Sequence, residues 1–239
     1  MTSRVPRAVA SLLASLTPCA ACGRTAAGPD GLCGACLDAL PDRAHGALEG
    51  ADGLPVAWLD RYDGGWRHVV HAIKFGGRPR LAVALGERLG HGVAHLGWPV
   101  ARVVPVPLHR ARRRRRGFDQ AERIARGLAT VLERPLWTGV RRTHPTRRQA
   151  RSSGARRRGN VRGAFLASPV PPIPLLVVDD VWTSGATARA VARALRAAGA
   201  REVRVAVLVR ADAEAGDAPQ RWMINAVTPP STAPTRTWG

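Results

Sequence analysis

Beyond Cys36 the remaining 203 residues contain no cysteine, and Lys74 is the one lysine among 37 basic side chains. Thiols confined to one short segment exclude a disulfide framework spread along the chain. Aromatic residues make up only 5%, so no stacking platform for single-stranded bases is evident. No apolar run approaches the roughly 20 residues of a spanning helix, and the longest, near residues 8–16 and 174–178, predict no membrane span. Acids are scarce as well: 17 against 37 bases leaves a formal net charge of +20. Between Ala101 and Gly163 there are 19 arginines and three acids (Asp119, Glu122 and Glu133), which concentrates +16 in that stretch. A field of that size attracts phosphate-bearing partners, whether a small phosphorylated substrate or a nucleic acid backbone. What is present is globular in composition, with 239 residues, 45% hydrophobic and 23% charged. That suits one α/β domain with a small appendage and excludes wholesale disorder.

The first residues, with Arg4 and Arg7 ahead of a short apolar stretch, imitate a secretory signal. Its removal would sever Cys19 or Cys22 from a site that needs both, so a short helix lying on the main domain and ended by Pro18 is expected instead. The four cysteines form two pairs, Cys19-x2-Cys22 and Cys33-x2-Cys36, ten residues apart, with Gly28, Pro29, Asp30 and Gly31 supplying a turn between them. Two such knuckles close a tetrahedron of thiolates around Zn2+, leaving no open position for catalysis. A redox dithiol and two secreted disulfides are the competing readings. Structural zinc in a reducing cytoplasm accounts best for complete pairing.

After a Gly/Asp-rich connector over 41–54, helical spacing of Trp66, Val69, Val70 and Ile73 predicts a helix ended by Gly76 and Gly77, followed by a second over 81–96. Residues 102–108 read as a buried strand running into a Pro-stiffened loop, 117–132 as a helix, 175–178 as a central strand, 185–198 as a helix and 202–209 as a strand. This alternation predicts a parallel sheet flanked by helices, with domain limits of 1–45 for the N-terminal helix and ribbon, 55–211 for the α/β domain and 212–239 for a loose tail.

The most informative segment is 175–187, LLVVDDVWTSGAT. A buried strand delivers Asp179 and Asp180 to its carboxyl end, and a Thr-Ser-Gly-Ala-Thr turn then opens a helix. Free N–H groups and the helix dipole favour an anion there, and the hydroxyls of Thr183, Ser184 and Thr187 add donors. Paired carboxylates beside a phosphate cradle suit the two vicinal hydroxyls of a ribose 5-phosphate. The plainer alternative is a strand followed by a helix capped by its own Ser or Thr.

That segment resembles the phosphoribosyl pyrophosphate (PRPP) signature of type I phosphoribosyltransferases. The chain as a whole resembles the ComF family of that group: the four-Cys ribbon, YDGGWRHVVHAIKFGG, VVPVPLHRARRRRRGFDQAERIA and RQARSSGARRRGNVRGAF occur in order before the signature. The resemblance implies a type I phosphoribosyltransferase-like sheet behind an N-terminal zinc ribbon. It also implies ribose contacts from Asp179 and Asp180, and 5-phosphate contacts from Thr183, Ser184, Gly185, Ala186 and Thr187. Val104, Pro105, Val106, Pro107 and Leu108 would form the pyrophosphate loop, and residues 143–158 the loop that closes over PRPP. Mg2+ would arrive with PRPP. Three positions depart from the family's usual pattern: Asp119 replaces Asn, Trp182 replaces Tyr or Phe, and Ser184 replaces Thr.

The run Arg112, Arg113, Arg114, Arg115 and Arg116, with Arg156, Arg157 and Arg158, reads as a solvated face, a substrate funnel or a nucleic acid patch. Arg112 to Arg115 are expected to stand clear of the phosphate cradle. His68, His71, His109 and His144 show no spacing for a metal or a triad, and His109 stands beside the pyrophosphate loop. Two functions follow from the resemblance. One is a phosphoribosyltransferase with an unnamed acceptor, linked to natural competence. The other is a non-catalytic PRPP or nucleotide sensor that binds single-stranded DNA and works with DNA-processing proteins.

Overall fold

Strands covered on both faces read as near-continuous apolar runs. The computed structural model, which describes residues 17–49, 52–143 and 163–211, has such a strand at 175–178, where all four residues are buried. In chain order the elements are α1 (Gly34–Asp38), β1 (His45–Glu49), β2 (Leu54–Arg61), α2 (Gly64–Phe75), α3 (Pro79–His95), β3 (Arg102–Pro105), α4 (Arg110–Arg116), α5 (Gln120–Leu132), β4 (Val140–Arg142), β5 (Phe165–Ala167), β6 (Pro174–Trp182), α6 (Ala186–Ala197) and β7 (Glu202–Arg210). The main sheet has the order β1-β2-β7-β6-β3. β2, β7, β6 and β3 run parallel, and β1 is an antiparallel edge strand.

Alternation along β6 divides the core. Leu176 and Val178 pack with α2, α3 and α5, and the ribbon's Leu32 and Leu40 join that same core. Leu175 and Val177 pack with α6 and with Val140 and Phe165 of the small β4–β5 hairpin. The chain thus leaves β3 for one face of the sheet and β6 for the other. Such a reversal between neighbouring parallel strands opens a crevice at their carboxyl ends.

α3 and α5 touch backbone to backbone. A Cβ on Gly86 would lie 2.0 Å from the Ile124 carbonyl oxygen, and one on Gly127 would lie 2.1 Å from that of Val83. Glycine at both positions permits the close crossing that brings the start of α5 beneath the crevice.

Three expectations are corrected. The supposed connector over 41–54 contains β1, which pairs with β2 from His45↔Trp58 to Glu49↔Leu54, so the sheet begins ahead of residue 55. HGALE has no β-branched residue, and its strand character comes from its partner. The helix expected over 117–132 starts later, at Gln120: Gly117, at φ +77°, ends a separate preceding helix, α4, and Asp119 caps α5. The arginine run is therefore itself a helix, in keeping with arginine's good helix propensity. The central strand is longer than 175–178 and includes both aspartates. The predicted N-terminal helix, most of the 143–158 loop, His144, Arg156 to Arg158 and the 212–239 tail lie outside the described residues. Among the described residues no helix is long and apolar enough to cross a membrane.

Candidate functional site

Neighbouring residues of a strand point to opposite faces, so the acid pair is divided by the sheet. Asp179 follows the α6-side residues Leu175 and Val177, while Asp180 follows Leu176 and Val178 toward α2. The Asp180 N–H donates to Asp179 Oδ1 at 2.9 Å, and Lys74 Nζ on α2 lies 2.9 Å from Asp180 Oδ1. Asp180 is buried and its Oδ2 has no hydrogen-bond partner among the described residues. Burial, then the neighbouring Asp180 charge, pushes the Asp179 carboxyl up to about 7.

Beyond Trp182 the chain turns through Thr183 and Ser184, both exposed, to Gly185 at φ +68°. A Cβ on Gly185 would lie 2.4 Å from the Trp182 ring, and the Arg189 guanidinium covers that ring at 5.1 Å. No side chain caps α6. The alternative of a helix capped by its own hydroxyl is thereby removed, and the N–H groups at the start of α6 open on a small hollow lined by Thr183, Ser184, Gly185, Ala186 and Thr187.

The loop after β3 forms the facing wall. Val104, Pro105 and Val106 are buried, and the Val106 N–H donates to Val178 O at 2.9 Å, continuing the parallel pairing with β6. The Leu108 N–H donates to Asp119 Oδ2 at 2.8 Å. Asp119 Oδ1 accepts from the Ala121 and Glu122 N–H groups at the start of α5. The carboxylate that departs from the family pattern thus ties the loop to a helix cap. An Asn would cap the helix through one oxygen and turn an NH2 toward the Leu108 N–H. Burial raises the Asp119 carboxyl, against the three backbone donors.

Between these walls lies a cleft of about 960 Å3 that contains Pro107, Leu108, Asp179, Asp180, Thr183 and Thr187. Arg112, Arg115 and Arg116 line it from α4, at the i, i+3, i+4 spacing of one helix face. Arg112 and Arg115, expected to stand clear of the cradle, line the same cleft as the cradle. Arg113 and Arg114 are exposed, and Arg113 lies 3.9 Å from Glu122. His109 caps α4, its Nδ1 accepting from the Ala111 N–H at 3.3 Å.

Four polar or charged residues of the cleft were not among the expected site residues: Tyr62, Lys74, Gln120 and Arg142. Arg142 faces inward from β4 with its guanidinium 5.1 Å from the centre of the Phe165 ring, and burial, then Arg112, lowers its pKa. Tyr62, Lys74 and Gln120 carried a sequence signal, since they lie within the motifs of the family resemblance and Lys74 is the solitary lysine, whereas Arg142 carried none. His71 lies against Phe75, with ring centres 4.9 Å apart.

The ribbon is a second site. The ligand atoms of Cys19, Cys22, Cys33 and Cys36 all lie within 4.8 Å of one another. A tetrahedron with 2.3 Å metal–sulfur bonds has S···S edges of about 3.8 Å, and Cys22 and Cys33 stand 4.0 Å apart. The cluster therefore fits a four-thiolate metal centre. Burial opposes ionisation of Cys22, but hydrogen bonds from the Arg24 backbone and Thr25 outweigh it and bring the thiol down to about 6. Arg78 anchors the ribbon to α3, donating to Gly31 O at 3.0 Å and Pro18 O at 2.9 Å.

The raised Asp179 pKa has a stability signature. The ligand-free fold retains a proton that the unfolded chain has released above about pH 4, so this residue's contribution to stability is lost as pH rises toward 7. Asp179→Asn removes the effect. In urea titrations the variant should match the wild type near pH 4 and exceed it by about 1–3 kcal/mol at pH 8. A constant difference across that range would mean that Asp179 titrates normally.

Residues 172–233, which include the acid pair and the cradle, match the phosphoribosyl transferase domain model. The DNA utilization protein YhgH of Salmonella typhi is 33% identical over 200 residues, covering 80% of this chain and 83% of that protein. Its counterpart in Escherichia coli K12 is 32% identical over 202 residues, covering 81% and 84%. Competence protein F of Haemophilus influenzae is 37% identical over 114 residues, 46% of this chain and 50% of that protein. The four-Cys ribbon, the mixed parallel sheet and this extent of similarity together establish that the chain belongs to the ComF family of phosphoribosyltransferase-like proteins.

Proposed function

We propose that the cleft binds PRPP with Mg2+ and that the protein transfers or senses ribose 5-phosphate in connection with DNA uptake. The observation that carries this reading is the uncapped start of α6, placed directly after two carboxylates and across the cleft from Arg112, Arg115 and Arg116. The N–H groups of Ala186 and Thr187, with the hydroxyls of Thr183 and Ser184, would hold the 5-phosphate. Asp179 and Asp180 would accept from the ribose hydroxyls, and the arginines would face the diphosphate. Mg2+ would be held by diphosphate oxygens and water, because the cleft offers carboxylates already engaged with Lys74 and with backbone. In a transfer reaction the C1–O bond to pyrophosphate breaks, the bonding electrons leave with pyrophosphate, and the acceptor attacks an oxocarbenium-like carbon. Arginines at the departing diphosphate stabilise the charge that develops there. Calorimetry with PRPP and Mg2+ should show binding that Asp179→Asn/Asp180→Asn weakens by about 2 kcal/mol or more. Equal affinity in the two proteins would place the ligand elsewhere.

The four-thiolate site is read as structural Zn2+, which suits a reducing cytoplasm. Bound there, the ion would fix the two knuckles from which the ribbon packs on α3. Elemental analysis of protein purified without added metal should find about one zinc per chain. A content below about a tenth of an equivalent, with all four thiols freely reactive, would remove the site.

The names of the relatives place them in DNA utilization and competence. The exposure of Arg113 and Arg114 on the outer side of α4 supports a second reading, a contact with single-stranded DNA independent of the cleft. Each neutralised phosphate contributes about −0.7 to the slope of log affinity against log salt. Arg113→Gln/Arg114→Gln should flatten the slope by about 1 while PRPP affinity is unchanged. A slope near zero in the unmodified protein would end the backbone-binding reading.

A further inference from the structure

Phe75, the last residue of α2, is half exposed and belongs to neither half of the hydrophobic core. Exposure of a single apolar side chain is ordinary, but what the ring touches is not. The Arg116 guanidinium lies over it, 5.0 Å from its centre, and His71, one turn earlier in α2, braces it with ring centres 4.9 Å apart. Arg116 comes from α4 and lines the cleft, so the contact runs from α2 to a cation of the candidate site. The same device occurs a second time in the cleft, where Arg142 of β4 lies 5.1 Å from the centre of the Phe165 ring of β5. The chain has only three phenylalanines, and two of them carry arginines of this one cleft.

A ring and a carboxylate hold an arginine in different ways. A carboxylate fixes the guanidinium by occupying its N–H fork, and it cancels the charge. An aromatic face attracts the cation through the ring quadrupole, and this hold itself neither cancels the charge nor uses the in-plane donors. The charge balance of the cleft gives that difference a use. Lys74 and four arginines line it against Asp179 and Asp180, and Lys74 is already engaged by Asp180. A cleft lined mainly by one sign focuses its field on an entering ligand, and this one suits a group that carries several negative charges. We propose that Phe75 is a positioning residue that holds Arg116 by its ring face and so orders this guanidinium for the diphosphate group of the ligand. This rests on the reading of the cleft as a PRPP site. The 5-phosphate belongs to the start of α6 in that reading, so Phe75 bears on the diphosphate end alone.

Calorimetry on the full chain with Mg2+ compares PRPP with ribose 5-phosphate, which lacks the diphosphate. Phe75→Leu keeps an apolar side chain but removes the ring. It should keep its thermal midpoint and its ribose 5-phosphate affinity while losing about threefold or more in PRPP affinity. Phe75→Tyr keeps an aromatic face and should bind PRPP as the wild type does. In an Arg116→Ala background, itself weakened toward PRPP, Phe75→Leu should have no further effect, because the two side chains act as a unit. Equal PRPP affinity in the wild type and Phe75→Leu would overturn the proposal and leave the reading of the cleft intact. An equal loss for both ligands would overturn it too, as would a loss in Phe75→Tyr as large as in Phe75→Leu. An undiminished effect of Phe75→Leu in the Arg116→Ala background would show that Phe75 acts by another route, with the same result. Failure of the wild type to bind PRPP would instead overturn the reading of the cleft and the proposal with it. Should Phe75→Leu not fold, Phe75→Met, which also lacks a ring and suits a helix, takes its place with the same outcomes.

Discussion

The junction of β6 with α6 is where the structure's apolar and polar requirements meet. Leu175 to Val178 are buried on both faces of the sheet, which keeps the strand inside it, between β7 and β3. The two residues that follow must then emerge as carboxylates at the carboxyl edge, one on each side. Everything around the cleft responds to that placement. Lys74 reaches Asp180 from α2, the Val106 N–H extends the pairing of the opposite loop, and Gly185 allows the chain to pass over Trp182 into α6. Burial that stabilises the sheet is also what holds Asp179 near neutral pKa.

The positive side of the cleft is arranged by helix geometry. Five consecutive arginines give no indication in themselves of which point inward. Once wound into α4, their 3.6-residue period sends Arg112, Arg115 and Arg116 to the cleft, Arg115 at its exposed rim, and leaves Arg113 and Arg114 outside it. Asp119 closes the arrangement from below, capping α5 while holding the Leu108 N–H. One buried carboxylate therefore ties the loop between β3 and α4 to the start of α5.

The four-Cys ribbon solves a different problem. Residues 17–40 contain too little apolar surface to form a core of their own, and they borrow one: Leu32 and Leu40 join the cluster built around α2, α3 and α5. Arg78 and Arg88 of the α3 region secure the attachment by donating to ribbon carbonyls, Arg88 to Leu37 O at 2.9 Å. The thiolate cluster and the cleft are thus connected through one hydrophobic core, with α3 between them.

Features that depend on local spacing are legible in the order of the amino acids. Two C-x2-C pairs specify a metal knuckle, a Leu-Leu-Val-Val run leading into Asp179 and Asp180 specifies a buried strand with acids toward its end, and Thr-Ser-Gly-Ala-Thr specifies the turn into a helix. Tertiary structure alone decided what those features face. β1 has no strand signal of its own and is a strand because β2 offers an edge. The division of the arginine run, the inward turn of Arg142, the grip of Asp119 on Leu108 and the pairing of Lys74 with Asp180 each join residues distant in sequence or depend on which face of an element is covered. Local propensity carries no information about such meetings, because they are set by how helices and strands pack after each has formed.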